Sequence, residues 1–197
     1  MWSEKYRPQS ISDMVGNEEP RASIIEWFAK WKKGTKPLLI VGPPGIGKTT
    51  IAYLLAKQFD YDMIGLNASD VRSKSRINEI LTPVLGNVSV LGTPMIFVDE
   101  VDGIHGRGDY GGAAALVDIL KKSNIPILLA ANYDDSDKMK SIKKTVTTIS
   151  FKKIPPRLLR VYLDNILEKE NEKLSPGSLI KVIDKSKGDI RSMINLT

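Results

Sequence analysis

Eight consecutive residues, Gly42-Pro43-Pro44-Gly45-Ile46-Gly47-Lys48-Thr49, have the types and spacing of a phosphate cradle. Glycines let a backbone close tightly round an anion, so that successive N–H groups point at it. The stretch fits the P-loop template at every fixed position, and in that template the lysine reaches the β- and γ-phosphates while the hydroxyl holds Mg²⁺. Context decides whether the match means anything. An apolar run, Leu38-Leu39-Ile40-Val41, precedes it, and an apolar-periodic helix starts near Thr49, with Thr50 in its first turn. A strand feeding a loop that opens a helix adds the helix's positive end to the cradle. The bland reading is a glycine- and proline-rich turn, and the register of Lys48-Thr49 speaks against it. The stretch predicts binding of a nucleoside triphosphate.

Two further groups extend the chemistry. Asp99-Glu100 closes a second apolar run, Met95-Ile96-Phe97-Val98. An aspartate there would hold Mg²⁺ directly or through water, and the glutamate after it could polarise an attacking water. Paired acids at a strand end also occur as plain turn residues; the P-loop upstream favours the catalytic reading. Asn132 ends a third apolar run, where a side chain projects toward the carboxyl edge at which open α/β sheets bind ligands. Arg191 lies just inside a helix near the chain end, either as a surface arginine or as one that a helical lid carries to a γ-phosphate.

The elements that must position these groups follow from periodicity. A helix is predicted over 17–33, capped by Asn17 and stopped by Gly34, with Ile24, Ile25, Phe28 and Trp31 on its buried stripe. Trp27 and Trp31 read as core rather than as ligand-stacking residues. Strands are predicted at 38–41, 63–66, 95–98, 127–131 and 147–151, alternating with helices, one of them after the second strand with Ile77, Ile80 and Leu81 inward and another at 113–122. Continuous apolar strands are buried on both faces, which implies a parallel sheet covered by helices. Residues 1–17 read as irregular. Pro155-Pro156 ends the pattern, and three helices follow: one with Leu158, Leu159, Tyr162, Leu163 and Ile166 inward, one after Ser175-Pro176 and one capped by Asp189. A domain boundary is therefore expected near Lys153, dividing 1–153 from 154–197. The stop inside or just after the third helix suggests a piece of something longer.

Composition narrows the function classes. The 197 residues carry no cysteine, excluding disulfides, zinc ribbons and thiol catalysis, and the single histidine, His105, builds neither a triad nor a metal cluster. The residues before Tyr6 do not form a signal peptide, and no apolar run reaches the length of a membrane span, so an intracellular, membrane-free protein is expected. A net charge of +6 fits an anionic partner such as nucleic acid. Basic clusters occur at Lys30, Lys32, Lys33 and Lys36, at Arg72, Lys74 and Arg76, and at Lys152 and Lys153, and each also reads as a solvated face.

Taken together, the P-loop, Asp99-Glu100, Asn132 and Gly188-Asp189-Ile190-Arg191 resemble the AAA+ ATPases, with sensor 1 at Asn132 and sensor 2 at Arg191. Within them, Glu4-Lys5-Tyr6-Arg7-Pro8 and Asn67-Ala68-Ser69-Asp70-Val71-Arg72 resemble the clamp loaders of the replication factor C family, along the whole chain. The resemblance implies an α/β fold, a five-stranded parallel sheet flanked by helices and followed by a small helical lid. It implies that Tyr6, Arg7, Pro8, Val15 and Gly16 line the adenine end, and that Asn67 restrains Glu100 until ATP and DNA are bound. ATP and Mg²⁺ are the implied cofactors. The implied partners are small subunits of the same assembly, a sliding clamp, and primer–template DNA held by its phosphates. The implied location is cytoplasmic for an archaeal-like protein, nuclear for a eukaryotic one.

Val98-Asp99-Glu100-Val101-Asp102-Gly103-Ile104 and the glycine-rich stretch at 103–112 resemble the large-subunit type. The chain has no arginine between Arg107 and Arg157. It therefore offers no arginine finger of the kind small subunits lend a neighbour, and Lys143 and Lys144 lack the planar fork to replace one. Arg72, Lys74, Arg76 and Arg107 are the candidate phosphate contacts to DNA. Other readings are a checkpoint-type loader, a P-loop kinase, and a scaffold that binds ATP without hydrolysing it.

Overall fold

A computed structural model describes residues 2–67, 75, 79, 93–105, 111–133, 135 and 137–197. Arg72, Lys74, Arg76, Arg107 and Tyr110, and the helix expected around Ile77, Ile80 and Leu81, lie outside the described residues.

Five strands form one parallel sheet: β1 (Leu38–Val41), β2 (Tyr61–Asn67), β3 (Thr93–Asp99), β4 (Ile127–Ala131) and β5 (Thr147–Ser150), in the order β2-β3-β4-β1-β5. Alternate side chains leave a strand on opposite faces, and both faces here are apolar. Leu38, Ile40, Met95, Phe97, Leu128 and Ala130 pack on one side against α2 (Glu18–Ala29) and α3 (Lys48–Gln58). Leu39, Val41, Ile96, Val98, Leu129 and Ala131 pack on the other against α4 (Gly112–Lys122) and α5 (Asp137–Lys143). The strand cores expected from sequence coincide with the observed ones, with β2 and β3 longer at both ends.

Three helices complete the chain: α6 (Pro156–Glu170), α7 (Pro176–Ser186) and α8 (Ile190–Leu196). Their starts follow ordinary capping rules. Proline occupies the first turn of α6 and α7, where no N–H is needed. Ser175 and Asp189 each accept a hydrogen bond from the N–H three residues on, in α7 and α8 respectively. Leu159, Leu163, Leu167, Leu179, Ile183 and Met193 join the same apolar cluster as the α2–α3 face of the sheet.

Three expectations need correction. The first residues are not wholly irregular: α1 (Trp2–Lys5) and a 3₁₀ turn at Ile11–Asp13 precede the sheet. The second helix stops at Ala29, short of the expected Lys33, and Lys30 closes it. Asn17 stands at its cap position but in a left-handed conformation, φ +53°, without capping. Its amide instead donates to the carbonyl of Lys152 and accepts from the Lys152 N–H, at 2.9 and 2.7 Å, tying the helix start to the exit of β5. Helix α5 has no counterpart among the elements expected from the sequence.

Candidate nucleotide site

The sheet register gathers the chemistry. Val41 pairs with Ala131, so the loop leaving β1 starts beside Asn132; Asn67 pairs with Asp99, so the ends of β2 and β3 lie together. All stand at the carboxyl edge of the sheet, the ligand-binding edge of open α/β folds.

The loop itself is built tightly. A side chain at Gly42 would lie 2.5 Å from the carbonyl of Phe151, and Gly45 and Gly47 have φ of +69° and +97°. Gly47 starts α3, leaving that helix's first N–H groups directed at the loop. Lys48 is only 7 % exposed. Its ammonium donates to the carbonyls of Gly42 (2.7 Å) and Pro43 (2.8 Å) and to Asn132 Oδ1 (2.9 Å). Burial pulls Lys48 below its ordinary ionisation range, while Asp99, Asp102, Asp189 and Glu100 oppose that shift.

The Thr49 hydroxyl donates to Asp99 Oδ2 at 2.6 Å. Glu100, exposed at the end of β3, has φ +53°, a left-handed conformation that is strained for a glutamate. The Asn67 amide donates to Glu100 Oε2 at 3.2 Å. Asp102, two residues on, accepts the backbone N–H of Asn132 at 3.0 Å. A chain of hydrogen bonds thus runs Asp102, Asn132, Lys48. In the sequence Asp102 stands out only as part of a motif; its separation from Asn132 hides the contact.

A cavity of about 300 Å³ joins these groups to the N-terminal residues and the last helices. Its wall includes Tyr6, Arg7, Pro8 and Val15, the loop from Pro44 to Thr50, and Asp99, Glu100, Asn132 and Arg191. Arg191 is exposed on the first turn of α8 and makes no ion pair among the described residues. Gly42, Pro43 and Gly16 do not line the cavity. Gly42 is packed against Phe151, and Gly16, at φ +72°, faces Ile154; their part is to support the wall. Met14, Tyr162, Ile190 and Ile194 also line it. The sequence places Tyr162 on an inward helical stripe, and periodicity does not separate a core-facing ring from a cavity-facing one.

The donor set suits Mg²⁺, which is commonly held by one or two carboxylates with substrate phosphates and not by an all-protein cage. Thr49 and Asp99 offer hard oxygens in mutual contact, and among the described residues no cluster of three acids, histidines or cysteines competes.

This arrangement has known relatives. Residues 38–171 match the ATPase family associated with various cellular activities (AAA), and the chain belongs to that family. Nucleotide binding comes with the membership. At the level of individual proteins, the chain is 43 % identical to the replication factor C large subunit of Thermofilum pendens, over 98 % of this chain and 48 % of the relative. It is 40 % identical to the replication factor C large subunit of Methanosphaera stadtmanae, over 98 % of this chain and 37 % of that relative. The chain thus spans less than half the length of either. A solved structure of a RuvB mutant from Thermotoga maritima shares the fold, with a TM-score of 0.71 at 15 % identity, covering 97 % of this chain and 64 % of that one. No helix among the described residues is long and apolar enough to cross a membrane.

Proposed function

We propose that this chain is the ATP-binding part of a replication factor C large subunit, a cytoplasmic ATPase that helps load a sliding clamp onto primed DNA. The observation that carries the reading is the convergence of Lys48, Thr49, Asp99, Glu100, Asn132 and Arg191 on one cavity, in a chain similar over nearly its whole length to large subunits.

The roles follow from placement. The loop N–H groups and the start of α3 bind the phosphates, and Lys48 exchanges carbonyl partners for phosphate oxygens. Thr49 and Asp99 would hold Mg²⁺, which when bound neutralises charge on the phosphates. Glu100 accepts the proton of the attacking water, and Asn132, tied to Lys48, orients the γ-phosphate end. Asn67 holds Glu100 back until ATP and DNA are bound. Arg191 reports nucleotide state to the helices of 154–197, which act as a lid on the 1–153 domain. A small subunit supplies the arginine finger that the chain itself lacks, so turnover by this chain alone is slow. Arg72, Lys74, Arg76 and Arg107 contact DNA phosphates, so changing them to alanine lowers the salt dependence of DNA binding without altering sequence preference.

The test is ATP turnover by the full-length protein as small subunits, sliding clamp and primed DNA are added in turn, alongside Glu100→Gln. Joint stimulation by clamp and DNA, with a fall of about 100-fold or more in Glu100→Gln while ATP still binds, supports the proposal. Rapid turnover that ignores clamp, DNA and subunits would sink it.

A further inference from the structure

The N-terminal wall of the cavity is held from two sides. Arg21 of α2 donates to the carbonyls of Ile11 and Gly16, while Tyr6 itself is held from α6. Tyr6 lines the cavity, and so does Tyr162 from α6. The Tyr162 hydroxyl donates to the Tyr6 carbonyl at 2.8 Å. The Tyr6 hydroxyl in turn donates to Glu170 Oε1, on the last turn of α6, at 2.5 Å. Lys5 bonds the same oxygen at 2.6 Å. The ammonium groups of Lys5 and Lys169 lie 5.5 and 5.9 Å from the centre of the Tyr6 ring. The polar contacts of Tyr6 outside its own strap thus run to one helix more than 150 positions away in sequence. Toward α3 the strap has the Arg7 guanidinium, 5.8 Å from the centre of the Tyr53 ring, on a tyrosine that is half exposed.

The two bonds at Glu170 differ in weight. Lys5 is 60 % exposed and its ion pair is screened by water, whereas the Glu170 side chain is only 17 % exposed, and its bond to Tyr6 is partly buried. A charge-assisted bond shielded from water is the stronger of the two.

Resting on the nucleotide-site reading above, we infer that Glu170 is a positioning residue for nucleotide binding, clamping the N-terminal strap to α6 so that Tyr6 stays on the cavity wall. The base end of the site and the C-terminal helices then form one mechanical unit. Releasing the clamp removes a wall of the cavity without touching Lys48, Thr49, Asp99 or Glu100. Such a loss affects ground-state and transition-state binding alike, so KM rises and kcat does not change.

Equilibrium binding of a fluorescent ATP analogue, binding of inorganic tripolyphosphate, and steady-state turnover are measured on the full-length protein and on Glu170→Ala, Tyr6→Phe and the double variant. Arg160→Ala, which breaks an exposed pair with Asp164 on the same helix, controls for changes to α6 itself. The expected result is about tenfold weaker nucleotide binding in each single variant, the typical effect of a lost charged hydrogen bond. The double variant should be no worse than Glu170→Ala, and tripolyphosphate affinity, kcat and the Arg160→Ala control should be unchanged. Wild-type nucleotide affinity in Glu170→Ala, or equal losses of ATP and tripolyphosphate, overturns the inference and leaves the nucleotide site standing. A wild-type protein that binds neither probe overturns both.

Discussion

The carboxylate of Asp189 sits where a side chain at Gly45 would be. A Cβ built on Gly45 would lie 1.8 Å from Asp189 Oδ1, and the Gly45 carbonyl accepts the N–H of Ile190 at 3.1 Å. The phosphate loop and the start of α8 are therefore fitted to one another through a missing side chain. Asp189 also caps α8 by accepting the Ser192 N–H at 2.7 Å, so it cannot move aside without uncapping the helix that carries Arg191.

Gly45→Ala should cost about 2 kcal/mol or more, from the clash and from a φ of +69° that alanine resists. Gly177→Ala is the counterpart: this glycine lies within α7 with open space around it, and the change should stabilise by about 0.5–1 kcal/mol. Thermal melts of both variants check the pair. Equal melting temperatures would mean that α8 does not dock on the loop as described.

Replacing Lys48 should separate stability from binding. Lys48→Met loses ATP affinity by about tenfold or more, because a charged donor to phosphate is gone. Its effect on folding depends on pH. The folded protein holds Lys48 below its unfolded value of 10.5, chiefly by burial. Below the folded value the native state carries a buried charge at a cost to stability. As pH rises through the folded value toward 10.5 the native state releases its proton first, and that cost fades. Wild type should therefore gain stability relative to Lys48→Met as pH rises toward 10.5. Nucleotide-free melting curves over that range would show a constant difference if Lys48 were not perturbed.

Asp102 should matter although it does not line the cavity. Asp102→Ala leaves the Asn132 N–H without its carboxylate and loosens the Asn132–Lys48 contact, with an expected loss of about 1–3 kcal/mol in stability. Asp102→Asn keeps an acceptor and should recover most of it. Denaturant titrations of the two variants decide: equal losses would point to charge and not to the hydrogen bond.

Helix α5 anchors one face of the sheet with Met139 and Ile142, both fully buried. Changing either to alanine should cost about 2–5 kcal/mol, the range for large aliphatic side chains in a packed core. Losses under about 1 kcal/mol, read from denaturant midpoints, would place α5 outside the cooperative core.

That helix also shows where sequence reading loses its grip. β1 and β4 were legible to the residue because buried parallel strands are unbroken apolar runs. In α5 the apolar pair is embedded among Asp137, Lys140, Ser141 and Lys143, and only the three-residue spacing of Met139 and Ile142, continued at Val146, could have revealed it. At the site, the residues marked by local motifs from Pro44 to Thr50 and at Asp99 and Glu100 line the cavity, whereas Gly42 and Pro43 lie behind it. Those missed are set by docking: Asp102 on Asn132, Glu170 on Tyr6, Asp189 on Gly45. Each pair is far apart in sequence and has no local signature. Asn17 fails in the opposite way, its cap-like identity being spent on the Lys152 backbone.

The left-handed backbone of Glu100 has a consequence for how this protein could be improved. An asparagine or glycine at that position would relieve strain of about 1–2 kcal/mol, so a search for heat-resistant variants would favour losing the glutamate. The same replacement would remove the carboxylate on the cavity wall to which the Asn67 amide donates. On the role proposed for Glu100, robustness and turnover compete for a single residue, and variants ranked by melting temperature alone would drift toward a protein that binds its nucleotide and keeps it.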